Sequence, residues 1–157
     1  MRVYTADRDN PLRVSYLAGR LNWRRNVEIA FPWPFTQGEW LAWTSAAITM
    51  LLGLAMLFAP RLVFRVLRLQ TNPNHPEAVG AARATMSGFY LGVGLACILL
   101  AQPLLYLTLG LCWGLSAFGR VISMLSDQGN TLVNWVWLAV ELCLAGLALA
   151  FALGLVA

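Results

Sequence analysis

The sequence contains no lysine, a single histidine and three cysteines, and only 11% of its 157 residues are charged. Each shortage excludes something. Soluble domains run at about 25% charged and about 45–50% apolar, whereas here the hydrophobic share is 59%. A chain this short leaves too much surface exposed to hide that apolar content from water. A soluble globular domain and a disordered chain are thereby excluded. The cysteines, Cys97, Cys112 and Cys143, stand singly in apolar stretches without Cys-x-x-Cys spacing. They read as packing residues, not a disulfide scaffold, a zinc site or a redox pair. No His-x-x-x-His pair, c-type haem motif or Gly-rich phosphate loop occurs. No metal and no cofactor is expected, and no set of side chains assembles a catalytic constellation. His75, in N-P-N-H-P-E, is expected to be a solvated loop histidine, and Glu77 and Asp127 are ordinary loop acids.

What remains is a chain whose solvent is mostly lipid. Eleven arginines against seven acids give a net charge of +4. Guanidinium groups pair with phosphates and carboxylates through two parallel hydrogen bonds. Six arginines lie within the first 25 residues, and most others border apolar runs. Membrane headgroups, not nucleic acid, are therefore the expected partners.

The layout predicts an all-α integral membrane four-helix bundle with an N-terminal interfacial arm. Residues 1–39 form a polar, Arg-rich arm with no apolar core of signal-peptide type. Residues 40–157 hold the bundle, with spans near 40–59, 79–101, 103–125 and 131–156. The first is uncharged and ends at Pro60; its twenty residues make ~30 Å of helix, enough to cross a hydrocarbon core. The 36 uncharged residues from Ala84 to Gly119 are too long for one crossing. Gln102-Pro103 divides them into a tight hairpin, with the proline suited to a first helical position. Four spans place both ends of the bundle on one side; the arginine bias near the first span leaves orientation open.

In the arm, a helix from Pro11 would align Arg13, Arg20 and Arg24 between two apolar flanks, Trp23 among them. Such a face suits docking on another protein, or arginine stems snorkelling to headgroups. Phe31 to Phe35, F-P-W-P-F, then brings aromatic rings to the interface. After the first span, Arg61, Arg65 and Arg68 share one face of a short basic helix expected to lie among headgroups. On the second span, Gly80, Ala84, Gly88, Gly92 and Ala96 recur every four residues. This ridge is expected to pack within the bundle, with a docking face for another subunit as the alternative.

The buried charges are the strongest chemical signal. Arg83, Arg120 and Glu141 all fall toward the same side of an antiparallel bundle. Arg120 lies seven residues before Asp127 and Glu141 eleven after Asn130, depths of ~10 Å and ~16 Å that an arginine side chain can bridge. An unpaired charge there costs at least ~2.5–3.5 kcal/mol, so Arg120 and Glu141 are the expected ion pair. Tyr90 and Asn134, with Thr85, Ser87, Ser116 and Ser123, are candidates to complete a polar cluster.

The segment A-R-A-T-M-S-G-F-Y-L-G at 82–92, Gly119-Arg120 and Glu141 resemble a family of small bacterial four-helix membrane proteins, domain of unknown function 4345. The resemblance spans roughly Trp40 to Phe151 and implies a four-helix bundle with Arg83, Arg120 and Glu141 facing inward; a bacterial inner membrane is the expected setting. It implies no activity. Two functional expectations follow from the residues. The first is a non-catalytic accessory or assembly subunit of a larger membrane complex, such as a respiratory or photosynthetic one. The second is a binder, carrier or enzyme for an anionic lipid-like molecule at the Arg83/Arg120/Glu141 site.

Overall fold

A capping box starts the first span. In the computed structural model, which describes residues 31–70 and 77–156, the Thr36 hydroxyl accepts from the Glu39 amide at 3.2 Å. The Glu39 carboxylate in turn accepts from the Thr36 and Phe35 amides, at 3.2 and 2.7 Å. A carboxylate in the first turn also complements the positive end of the helix. Helix α1 therefore runs Gln37–Phe58, beginning three residues before the expected Trp40. The arm bearing Arg13, Arg20, Trp23 and Arg24 lies outside the described residues, as does His75.

Pro60, unable to continue α1, opens the short helix α2, Pro60–Leu67. Then come α3, Glu77–Leu100, α4, Pro103–Ser126, and α5, Leu132–Ala152. Ala101 in a left-handed conformation (φ 46°) and Gln102 as N-cap turn the chain between α3 and α4. Helices α1, α3, α4 and α5 are each long and apolar enough to cross a membrane. The described residues fold into helices without a strand, and the four long apolar spans make this an integral membrane protein with many Leu, Phe and Val side chains exposed. The last span stops at Ala152, four residues short of the expected 156.

Sequence neighbours are not the closest packing partners throughout. Helix α1 packs along both α3 and α5, and α4 packs along α5, whereas α3 and α4 meet only sparsely. Small residues permit the close crossings. A Cβ on Gly94 would stand 2.9 Å from the Ala46 carbonyl oxygen and the Met50 amide nitrogen, and one on Gly53 would stand 2.8 Å from the Leu91 nitrogen. Where α1 meets α5, Ala42, Ala46, Ala145 and Ala148 are buried.

The expected ridge on the second span does not make these contacts. Gly80, Ala84, Gly88 and Gly92 are exposed and Ala96 is half-buried. A Cβ added at Gly80, Gly88 or Gly92 would meet nothing within 4 Å. The bundle uses Gly94 and the neighbouring face instead, so the ridge points outward.

Polar side chains pin α1 in place. The Ser45 hydroxyl donates to the Leu144 carbonyl at 2.9 Å. Thr49 donates to the Ser45 carbonyl at 2.8 Å and accepts from the Trp113 indole nitrogen at 2.9 Å. With no water in the hydrocarbon to satisfy these groups, interhelical hydrogen bonds hold the crossing.

Candidate functional site

Ser116 and Arg120 lie one turn apart on α4, and Asn134 and Glu141 lie seven residues apart on α5, so each pair shares one helix face. The α4–α5 hairpin turns these faces toward each other. Arg120 binds Glu141 through two parallel bonds, Nε to Oε2 at 2.9 Å and Nη2 to Oε1 at 2.6 Å. Its Nη1 donates to Asn134 Oδ1 at 3.1 Å, and Ser116 Oγ donates to Glu141 Oε1 at 3.0 Å. The Asn134 amide donates in turn to the Gly129 carbonyl at 2.7 Å, tying the network to the hairpin turn. Gly129 has little room for a side chain, since its Cβ would come within 3.0 Å of the Ser123 carbonyl oxygen.

Glu141 is 3% exposed. A carboxylate so placed persists only if its charge is matched and its lone pairs are filled. The bidentate guanidinium supplies the charge, and with Ser116 it delivers three donors to the two oxygens.

Arg83 is not part of this cluster. Its side chain is exposed near the start of α3, and it contributes its backbone carbonyl, which accepts from the Ser87 hydroxyl. An arginine within two turns of a helix end can hold its guanidinium among headgroups, so inward pairing is not required. Thr85 is also exposed and bonds its own helix at the Ala81 carbonyl.

Beside the pair lies a cavity of about 410 Å³. Arg120, Glu141, Ser116 and Tyr90 form its polar part; Leu52 and Met56 of α1 and Met86 of α3 form apolar wall. Trp113 of α4 and Trp137 of α5 add aromatic wall, and α2 contributes a further side through Leu62, Val63, Val66 and Leu67. On α2, Arg61, Arg65 and Arg68 are exposed. Its other side, however, closes over the cavity, with Phe64 buried. No sequence pattern distinguishes an apolar face that meets lipid from one that meets protein.

A second, mostly apolar cavity of about 220 Å³ lies between α3 and α4. Tyr90, Trp113 and Ser116 line both spaces. Tyr90 and Trp113 stack with ring centroids 5.7 Å apart and planes 16° from parallel. Among the cysteines, Cys97 is buried, its thiol directed to the Leu105 carbonyl at 3.4 Å, while Cys112 and Cys143 are exposed. Among the described residues, no group of His, Cys, Asp and Glu is placed to hold a metal ion.

Four apolar spans, an outward-facing stripe of small residues and one buried ion pair beside a cavity define a polytopic helical membrane protein with a polar site inside its bundle. The chain belongs to the family described as domain of unknown function 4345, whose model matches residues 38–152. No curated protein and no solved structure matches it significantly.

Proposed function

We propose that the protein binds a membrane amphiphile in the cavity beside α2, with the Arg120–Glu141 network at the polar end. The supporting observation is that a single cavity of about 410 Å³ joins that network to a long apolar wall. Small-molecule sites have this make-up, a largely apolar lining of ~300–1,000 Å³ with a few converging polar groups. Helix α2 fits the same role, since its arginines suit headgroups while its apolar side lines the cavity. Arg83 stands apart, so the binder reading rests on Arg120 alone. The Glu141 carboxylate beside the cavity is held by Arg120 and Ser116 and is not free to act as a base, which favours binding or carriage over catalysis. A bacterial inner membrane is the setting we propose, in keeping with spans that are all helical.

Native mass spectrometry of protein extracted from its own membranes tests this. Wild type should carry a bound amphiphile that Ala55→Trp, which fills the cavity wall, loses while keeping its helix content. Wild type released with no bound species sinks the reading.

A second role has its own support. Gly80, Ala84, Gly88 and Gly92 present a smooth outward face of the kind on which transmembrane helices associate. The reading is an accessory subunit whose neighbour, another membrane protein, packs on α3. Gly88→Leu should then release the protein from a native complex in mild detergent. If wild type migrates alone, or the variant migrates unchanged, this role fails.

A further inference from the structure

Resting on the binding role proposed above, we infer that the cavity takes an uncharged amphiphile with a carbonyl head, not an anionic one. The charge at the polar end is already balanced. Glu141 neutralises Arg120, and both its oxygens are filled by Arg120 and Ser116. A second anion would meet a carboxylate as well as a guanidinium, in a space where losing its own hydration is costly.

What the site has left over is donors. A guanidinium carries five N–H groups, and Arg120 uses one each at Nε, Nη1 and Nη2. The remaining two have no acceptor among the described residues, and neither does the Tyr90 hydroxyl. Arg120 and Tyr90 both line the cavity. Surplus donors without net charge match an acceptor without charge: the carbonyl of an ester, an amide or a quinone. The tail has a route as well. Tyr90 and Trp113 border the second cavity, where Phe89, Val93 and Leu109 continue the apolar lining toward the sparse α3–α4 seam.

Three probes of equal chain length, each brominated on the chain, separate the possibilities: a methyl ester, a benzoquinone and a carboxylate kept ionised at alkaline pH. They are titrated by mole fraction into nanodiscs holding the whole protein. Quenching of Trp113 and Trp137, which line the cavity, is isolated by comparison with Trp113→Phe and Trp137→Phe. The ester or the quinone should half-quench at a mole fraction about tenfold below that of the carboxylate. Tyr90→Phe should weaken that probe about fivefold, the loss expected for one hydrogen bond. Whichever uncharged probe is tighter tells an acyl lipid from a quinone as the natural source. In Glu141→Gln, which leaves Arg120 uncompensated, the carboxylate should gain on both. A carboxylate that matches or beats the uncharged probes in wild type overturns this inference and leaves the binding role standing. Quenching of neither tryptophan by any probe overturns both.

Discussion

A guanidinium inside a bilayer has few places to go, and Arg120 and Arg83 show the two main ones. Each lies six residues from an end of its helix. Arg120 turns inward to Glu141, which is mid-way along α5 and must be matched there, whereas Arg83 stays exposed. Replacing Glu141 with Gln should cost on the order of 3–5 kcal/mol by stranding the arginine. Leucine at both positions should recover most of that loss, as followed by denaturant or thermal unfolding in detergent. A double replacement no better than the single one would show that the two are not partners. Arg83→Ala should change stability by less than about 0.5 kcal/mol, the size expected for an exposed site. The buried pair was legible because an unmatched charge at that depth is so costly that helix arithmetic leaves few partners. Arg83 was not, because a register position alone cannot say whether a side chain near a helix end points in or out. The Ser45 and Thr49 contacts were equally silent in the sequence. Hydroxyls on a transmembrane helix can always fall back on their own preceding carbonyls.

Helix packing was harder to read than helix placement. The four spans stood out because long uncharged runs leave no other structure in lipid. Their ends shifted by a few residues where local chemistry decided, as at Thr36 and Glu39, whose capping box lengthens α1. The inner and outer faces were not separable in the same way. In water, an apolar stripe marks the inside; in lipid, both sides are apolar, and a repeat of small residues fits either. Gly94, not the ridge, lies against the backbone of α1. Gly94→Ala should therefore destabilise the protein by about 1–3 kcal/mol through overpacking. Gly92→Ala, which meets nothing, should be neutral or stabilising by up to about 1 kcal/mol from helix propensity. Melting temperatures of the two variants in one detergent make the comparison. Equal shifts would mean that α1 and α3 do not cross at Gly94.

At the scale of the whole molecule, four antiparallel crossings place the α3–α4 turn and the α4–α5 turn on opposite sides. Cysteines introduced at Gln102 and Gln128 in a variant without its native cysteines should be labelled by an impermeant maleimide from opposite faces of sealed vesicles. Labelling of both from one face would refute the four-span arrangement. The hydrogen bonds that fix α1 have a consequence for how the chain is made. Ser45 finds its acceptor 99 residues later, and Thr49 meets Trp113 64 residues later. At ~5–20 residues per second of synthesis, α1 waits ~5–20 s after emerging before α5 exists to receive it. During that interval its hydroxyls turn back on their own helix and its small-residue face lies open to lipid or to an insertion factor. The bundle is complete only when its last helix arrives, and a chain halted before α5 lacks both the Leu144 carbonyl that receives Ser45 and the helix along which α1 and α4 pack.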